Sequence, residues 1–186
     1  MHKDINEDLL NILAELDEQA HLGGDILKSL RGFVRKDQGE QEAFDLNELV
    51  RQTESLLHHE AFLQGVNLRF DVQRMPMVMG NRIQIAQVII NLVRNSIEAI
   101  TEADSPQKEV RILAHKKLDQ VEIWVEDTGP GVAPDVTLFK QFETSKKDGM
   151  GLGLSICRTI AEANGGRLWY DSNFNERTRF CVSLPT

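Results

Sequence analysis

Two side-chain amides, one carboxylate and two glycine-rich turns are the groups in this chain whose types and spacing could do chemistry. The amides stand in Asn91-Leu-Val-Arg-Asn95, and the carboxylate opens Asp127-Thr-Gly-Pro-Gly131. The second glycine run is Gly149-Met-Gly-Leu-Gly-Leu154. Singly, each has an ordinary explanation: glycine runs make turns, and amides at i and i+4 of a helix usually cap or face water. In this order the three are complementary. An acid and glycines end a strand, a second glycine loop opens a helix, and an amide pair sits on an earlier helix. Such a set can hold a base, a phosphate tail and a metal ion.

Asn91 and Asn95 are one helical turn apart, so both amides project from one face. An amide carbonyl is a neutral oxygen ligand, suited to a Mg²⁺ whose shell is otherwise phosphate and water. Val88, Ile89, Leu92 and Ile97 surround the pair and place it at the edge of a core. Arg94 and Glu98 either reach the same mouth or form a solvated i, i+4 ion pair. Asp127 ends the run Val121-Glu-Ile-Trp-Val-Glu. Gly129 and Gly131 then let backbone approach a flat ring, with Pro130 stiffening the turn. A buried carboxylate there can accept a hydrogen bond from an exocyclic amine, which selects adenine over guanine. Gly149, Gly151 and Gly153 lead into Leu154-Ser-Ile-Cys-Arg, a loop feeding a helix N-terminus whose unpaired N–H groups suit phosphates. Between the glycine loops, Phe139 and Phe142 can anchor a lid, while Thr144, Ser145, Lys146 and Lys147 supply donors and charge.

The elements that must position these groups are visible in the periodicity. Asp45 is a candidate N-cap for a helix over 46–64, with Gly65 as its stop. Residues 66–72 alternate as a half-buried strand, and Met77-Val-Met makes a short second one. Met75, Met77 and Met79 read as strand packing rather than as a soft-metal site. Asn81 can cap a helix running to about residue 100, flagged by the apolar positions above. Residues 110–115 and 121–127 make a hairpin through Leu118-Asp-Gln, 151–164 a helix, and 166–171 with 178–184 a closing hairpin. Helices on one face of a mixed sheet predict a two-layer α/β sandwich.

Composition permits this and removes other classes. Of 186 residues, 41% are apolar and 27% charged, a globular balance. A net charge of −8 argues against a nucleic-acid partner, which needs a basic face. ATP is not excluded, because a site can neutralise phosphates locally. The longest apolar runs are far too short to span a bilayer, and the first residues lack the pattern of a secretory signal. Cys157 and Cys181 lie inside apolar patterns and read as core thiols of a reducing, cytoplasmic setting, whether of a soluble protein or of the cytoplasmic part of a membrane-bound one.

Residues 1–36 differ in character. Ile5, Leu9, Ile12, Leu16, Gln19, Gly23, Ile26, Leu30 and Phe33 step by four and three, the seam of a bundle helix. Leu13, Ala20, Leu27 and Val34 widen it, as suits a helix with more than one neighbour. One helix cannot make a bundle, so the rest must come from a second copy, another chain or further sequence, and the stripe over 5–34 predicts self-association as a homodimer. Residues 37–44 then read as a polar linker, leaving 45–186 as a separate domain.

The motif set resembles the ATP-binding catalytic domain of bacterial two-component sensor histidine kinases, in the superfamily shared with gyrase, Hsp90 and MutL. The resemblance covers residues 45–185. Asn91 and Asn95 fall on the family's N box, Asp127-Thr-Gly-Pro-Gly on its G1 box, Phe139 and Phe142 on its F box, and Gly-Met-Gly-Leu-Gly-Leu on its G2 box. It implies an α+β two-layer sandwich of the Bergerat type, preceded by a helix of a dimerisation bundle. It implies ATP and Mg²⁺ as ligands and a response regulator as partner. By resemblance, Asp127 binds the adenine amine with Thr178 nearby, bridged by water. Asn95, with Asn91, holds Mg²⁺, and Lys146 and the backbone of Gly149, Gly151, Leu152, Gly153 and Leu154 face the phosphates. Asn91, Asn95 and Lys146 are thereby the candidates for catalytic work.

Two positions qualify the resemblance. The superfamily's ATPases place a Glu four residues before the metal Asn, where it activates water. Here that position is Asn91, which favours the kinase branch, whose acceptor imidazole is itself nucleophilic. An ATP-gated switch without phosphoryl transfer is the alternative. The family's acceptor motif, a His followed by an acid and then a Pro, is matched by none of His2, His21, His58, His59 or His115. Residues 1–36 instead resemble the second helix of the family's acceptor hairpin. The expectation is therefore a kinase fragment whose acceptor histidine lies elsewhere, or an orphan domain acting in trans.

Overall fold

The computed structural model describes residues 41–133, 136–140, 151–174 and 177–186. The bundle helix expected over 1–36, most of the linker, Phe142, Thr144, Ser145, Lys146, Lys147 and Gly149 lie outside the described residues. All described residues belong to one unit, Gly39–Thr186.

Seven strands and three helices are described. They are β1 (Glu42–Phe44), α1 (Leu46–Leu63), β2 (Asn67–Asp71), β3 (Val78–Gly80) and α2 (Arg82–Glu102), followed by β4 (Glu109–Lys116), β5 (Gln120–Asp127), α3 (Gly153–Ala163), β6 (Arg167–Tyr170) and β7 (Thr178–Pro185). The main sheet has the order β2-β4-β5-β7-β6. β2 runs parallel to β4 and the other pairs are antiparallel, so the sheet is mixed as expected. β1 and β3 form a separate antiparallel pair. The linker expected over 37–44 thus contains a strand. Three residues are too short for alternation to show, and only Phe44, 5% exposed, marks its inner side.

Local chemistry fixes the helix starts. Asp45 Oδ1 accepts from the N–H groups of Asn47 and Glu48 at 2.8 and 3.4 Å, and Asn81 Oδ1 accepts from those of Ile83 and Gln84, each at 3.1 Å. Both satisfy donors that a helix N-terminus leaves unpaired. α3 begins at Leu152 with no side-chain cap. α1 ends at Gln64 and is turned by Gly65, at φ 66°.

The helices cover one face of the sheet. Val110 and Ile112 of β4, Val121, Ile123 and Val125 of β5, and Phe180, Val182 and Leu184 of β7 alternate inward. They share a core with Leu49 and Leu57 of α1, Ile85, Ile89 and Leu92 of α2, and Ile156 and Cys157 of α3. The opposite face is polar and aromatic. Arg179 pairs with Glu126 at 2.6 Å and lies over Trp124, 4.2 Å from the ring centre. No helix among the described residues is long and apolar enough to cross a membrane.

The Asp45 cap gives a test of the α1 start. Asp45→Ala should cost about 1 kcal/mol of unfolding free energy by urea titration, with the slope unchanged. A loss below a few tenths of a kcal/mol would mean that packing alone sets this helix end.

Candidate nucleotide site

The site forms where the C-terminal end of β5, the middle of α2 and the start of α3 meet. Asp127 is the last residue of β5 and is 2% exposed. Its Oδ2 accepts from Ser96 Oγ at 3.0 Å, and its Oδ1 accepts from the Gly129 N–H at 2.8 Å. Thr178, its cross-strand partner on β7, donates a further hydrogen bond. A Cβ at position 129 would lie 2.7 Å from Asp127 Oδ1, so any side chain there would displace the carboxylate. Glycine there lets the chain turn back onto the carboxylate. Thr128 ties the same turn to β4: its Oγ1 accepts from the Glu109 N–H at 3.0 Å and donates to the carbonyl of Gln107.

Burial pushes the Asp127 carboxyl above its ordinary range, against the hydrogen bonds from Gly129, Thr178 and Ser96, which pull it down. All three donors are neutral. A carboxylate kept in so dry a place by dipoles alone costs folding energy, and such costs concentrate at functional sites.

The amides lie on the side of α2 that faces α3. The Asn95 Nδ2 would be 3.9 Å from a Cβ placed at Gly153, so the amide and the glycine at the start of α3 are neighbours. Asn91 Nδ2 donates to Cys157 Sγ at 3.7 Å, which leaves its carbonyl oxygen outside that contact. Cys157 is fully buried and its thiol is pushed up to about 12, so it stays protonated at neutral pH. Arg94 pairs with Glu60 of α1 at 3.0 Å, which ties that cation to the neighbouring helix.

The remaining predicted residues take these places. Gly131 and Gly151 adopt positive φ, 81° and 65°. Leu152 and Leu154 pack against the core at the α3 start, and the Leu152 carbonyl accepts from Ser155 Oγ at 2.8 Å. Phe139 also has positive φ, 65°, a conformation that costs a side chain of this size of order 1 kcal/mol. It is held edge-on to Phe180, with centroids 6.3 Å apart, and beneath Arg158.

Two site residues escaped the sequence. Ser96 is the single polar residue in the buried α2 stripe of Ile85, Val88, Ile89, Leu92, Val93, Ile97 and Ile100. That interruption, one residue past Asn95, was the available signal. Cys157 carried none, since a thiol in an apolar pattern looks like any small core residue.

The donor set fits a nucleotide that brings its own cation. Among the described residues no group of three or more His, Cys, Asp or Glu could hold a metal. Two neutral amides suit a Mg²⁺ already bound to phosphate oxygens and water.

Comparison with known proteins gives the family and the fold. Residues 80–186 match the family described as histidine kinase-, DNA gyrase B-, and HSP90-like ATPase, and the chain belongs to that family. It is 40% identical over 172 residues to the sensor protein FixL of Bradyrhizobium diazoefficiens, covering 90% of this chain and 34% of FixL. It is 35% identical over 178 residues to the sensor histidine kinase TmoS of Ectopseudomonas mendocina, covering 93% and 18%. The chain thus spans about a third or less of these relatives. Its fold is similar to the nucleotide-free catalytic domain of histidine kinase ThkA, with TM-score 0.68 and 31% identity over 78% of this chain and 95% of that one. A second ThkA structure, in complex with response regulator protein TrrA, gives TM-score 0.70 and 27% identity over 94% and 49%. The described domain is the catalytic ATP-binding domain of the sensor histidine kinase type.

The raised Asp127 pKa predicts a pH-dependent penalty. The folded protein holds this proton more tightly than the unfolded chain, so the penalty is absent below the unfolded value of about 3.9 and complete above the folded one. Wild-type stability should therefore fall, on account of this group, as pH rises through that window. Asp127→Asn removes the term. In urea titrations the variant should gain on wild type as pH rises above about 3.9 and be at least as stable once the buried carboxyl has ionised. A variant that is less stable at neutral pH, with no gain on raising pH, would show that the carboxylate is not penalised.

Proposed function

We propose that this domain binds Mg·ATP and transfers its γ-phosphoryl group to a histidine carried on another helix. The observation that carries the proposal is the buried Asp127, held by Ser96, Gly129 and Thr178 with its charge uncompensated. A donor group such as the adenine amine completes its hydrogen bonding, and a guanine carbonyl at that place would repel it. Asn95 and the uncapped start of α3 lie next to each other beyond the base end, where the phosphates would run. Mg²⁺, when bound, neutralises phosphate charge, and Asn95 with the Asn91 carbonyl are its protein ligands. Gly149 and Lys146, together with Thr144 and Ser145, complete the phosphate contacts in this proposal.

The chain's own residues offer no base for hydrolysis at Asn91. An amide has no basic lone pair to take a proton from water, and its neighbour Cys157 is a neutral thiol. The attacking group must therefore be a nucleophile that needs little activation, as a neutral imidazole is. The bond from the γ-phosphorus to the β,γ-bridging oxygen breaks as a bond to an imidazole nitrogen forms. ADP leaves, and the imidazole N–H proton passes to solvent. The domain's part is positioning and charge stabilisation. A response regulator, the class of partner seen with ThkA, would then receive the phosphoryl group. The reducing, ATP-rich cytoplasm suits such a domain, and both cysteines are free and buried.

Calorimetry should show binding of Mg·ATP and ADP with clear preference over GTP. A charge-assisted hydrogen bond contributes about 1.5–3 kcal/mol, so Asp127→Asn should weaken ATP binding roughly ten- to a hundredfold. Equal affinities for ATP and GTP would remove the adenine assignment. Asn95→Ala should lower nucleotide affinity in Mg²⁺ but hardly in EDTA, with the melting temperature nearly unchanged. Equal loss in both buffers would deny it a metal role.

Labelled ATP supplies the test of transfer. The chain alone should acquire no acid-labile, base-stable label, whereas a sensor-kinase acceptor hairpin added in trans should become labelled. Label on one of the chain's own five histidines, or binding with no transfer to any added hairpin, would contradict the proposal.

A further inference from the structure

Asn164 lies at the end of α3 far from the nucleotide site, yet it is 2% exposed and uses its whole side chain. Its Oδ1 accepts from the backbone N–H of Asn81 at 2.6 Å, the residue that caps α2. Its Nδ2 donates to Gln84 Oε1 at 2.9 Å and to the Ile160 carbonyl at 2.8 Å. Gly80 leaves the room for this approach, since a Cβ there would lie 3.0 Å from Asn164 Oδ1. One buried amide therefore joins the last turn of α3 to the first turn of α2.

Two further meetings of these helices, one a hydrogen bond and one a close approach, fall in step with it. Asn91 meets Cys157, and Asn95 adjoins Gly153. Seven residues separate Gln84 from Asn91, and seven separate Cys157 from Asn164. Four separate Asn91 from Asn95, and four separate Gly153 from Cys157. The three contacts are rungs of one antiparallel register. The other buried residues of α3 are mostly apolar, Ile156, Ile160 and Ala161, and belong to the common core. Apolar burial is non-directional and tolerates a slide, whereas a buried polar group accepts only the register that satisfies it. A slip of one helical turn, about 5.4 Å, would carry the start of α3 away from Asn95 altogether.

We infer that Asn164 is a positioning residue for the nucleotide site: it pins the α2–α3 register from the distal end and so holds the α3 N-terminus opposite Asn95. The inference rests on the nucleotide proposal for its functional consequence but not for its structural one. Losing the pin should weaken the phosphate end of the site and spare the base end, because Asp127 is held by Ser96, Gly129 and Thr178 instead.

The experiment compares wild type with Asn164→Leu, which keeps the volume and removes the polar contacts. Hydrogen exchange is followed at the Ile156 amide, bonded to the Leu152 carbonyl at 3.0 Å in the first turn of α3. It should speed up about tenfold or more in the folded variant, with the global unfolding free energy measured in parallel to separate local from global opening. Mg·ATP affinity should fall about tenfold further than adenosine affinity. If Asn164→Leu does not fold, Gln84→Ala removes one partner from a half-exposed position, and smaller changes in the same directions are expected. Unchanged Ile156 exchange beyond the global term, or equal losses of Mg·ATP and adenosine, would overturn the inference. If wild type binds neither ligand, the nucleotide proposal fails and the exchange measurement alone decides the register pin.

Discussion

A carboxylate that is 2% exposed and met by neutral donors alone is the constraint on which the site side of this fold depends. Water would solvate Asp127 far better than Ser96, Thr178 and the Gly129 N–H do. Keeping it inside needs three separate elements in place at once: α2 for the serine, the turn after β5 for the N–H, and β7 for the threonine. Thr128 adds a fourth, because its hydrogen bonds to Glu109 and Gln107 fix the turn against β4. The sheet order places β5 between β4 and β7, so one strand end can collect all of these partners. The apolar core beneath supplies the stability against which the buried charge is a local cost.

The second constraint is the pairing of α2 with α3. α2 is capped by Asn81 and buries a continuous stripe, so its place over the sheet is set by its own sequence. α3 has no side-chain cap at its start, and its closest polar ties to α2 are side-chain amides on the shared face. The free N–H groups that make a helix start useful to an anion are the same groups that leave that end unsecured. Fixing α3 at the opposite end resolves the conflict, since it keeps the functional terminus unencumbered.

Much of this was legible in the sequence, for physical reasons that differ by element. The caps Asp45 and Asn81 and the stop at Gly65 were readable because a helix end needs particular side chains at particular places. The strands β4 and β5 were readable because burial of one face imposes alternation over eight residues. β1 was not, because three residues carry no period, and its partner β3 is equally short. Within the site, Asp127, Gly129 and Asn95 stood out because glycine and polar residues are costly where they sit. Cys157 did not, since a thiol fits a helix core unremarked, and Ser96 showed only as one polar interruption of an apolar stripe. Arg94 shows the limit of local pairing rules. Its ion pair with Glu60, thirty-four positions away on α1, is one that no i, i+4 rule reveals.

The contact between Asn91 and Cys157 links the geometry to the choice of chemistry. A Glu at position 91 would set a carboxylate against a buried thiol whose proton is held up to about 12. A carboxylate there would offer a base for water. The amide forecloses that route, because it donates to sulfur without offering a basic site. In the proposed binding mode a nucleotide would be protected from attack by water activated at this position, while its phosphate end would lie beside the start of α3. On that proposal, an amide at this position would favour retention of the phosphoryl group until an external nucleophile is presented. Under the proposed function, that property would let presentation of the acceptor, rather than hydrolysis, determine where the phosphoryl group goes.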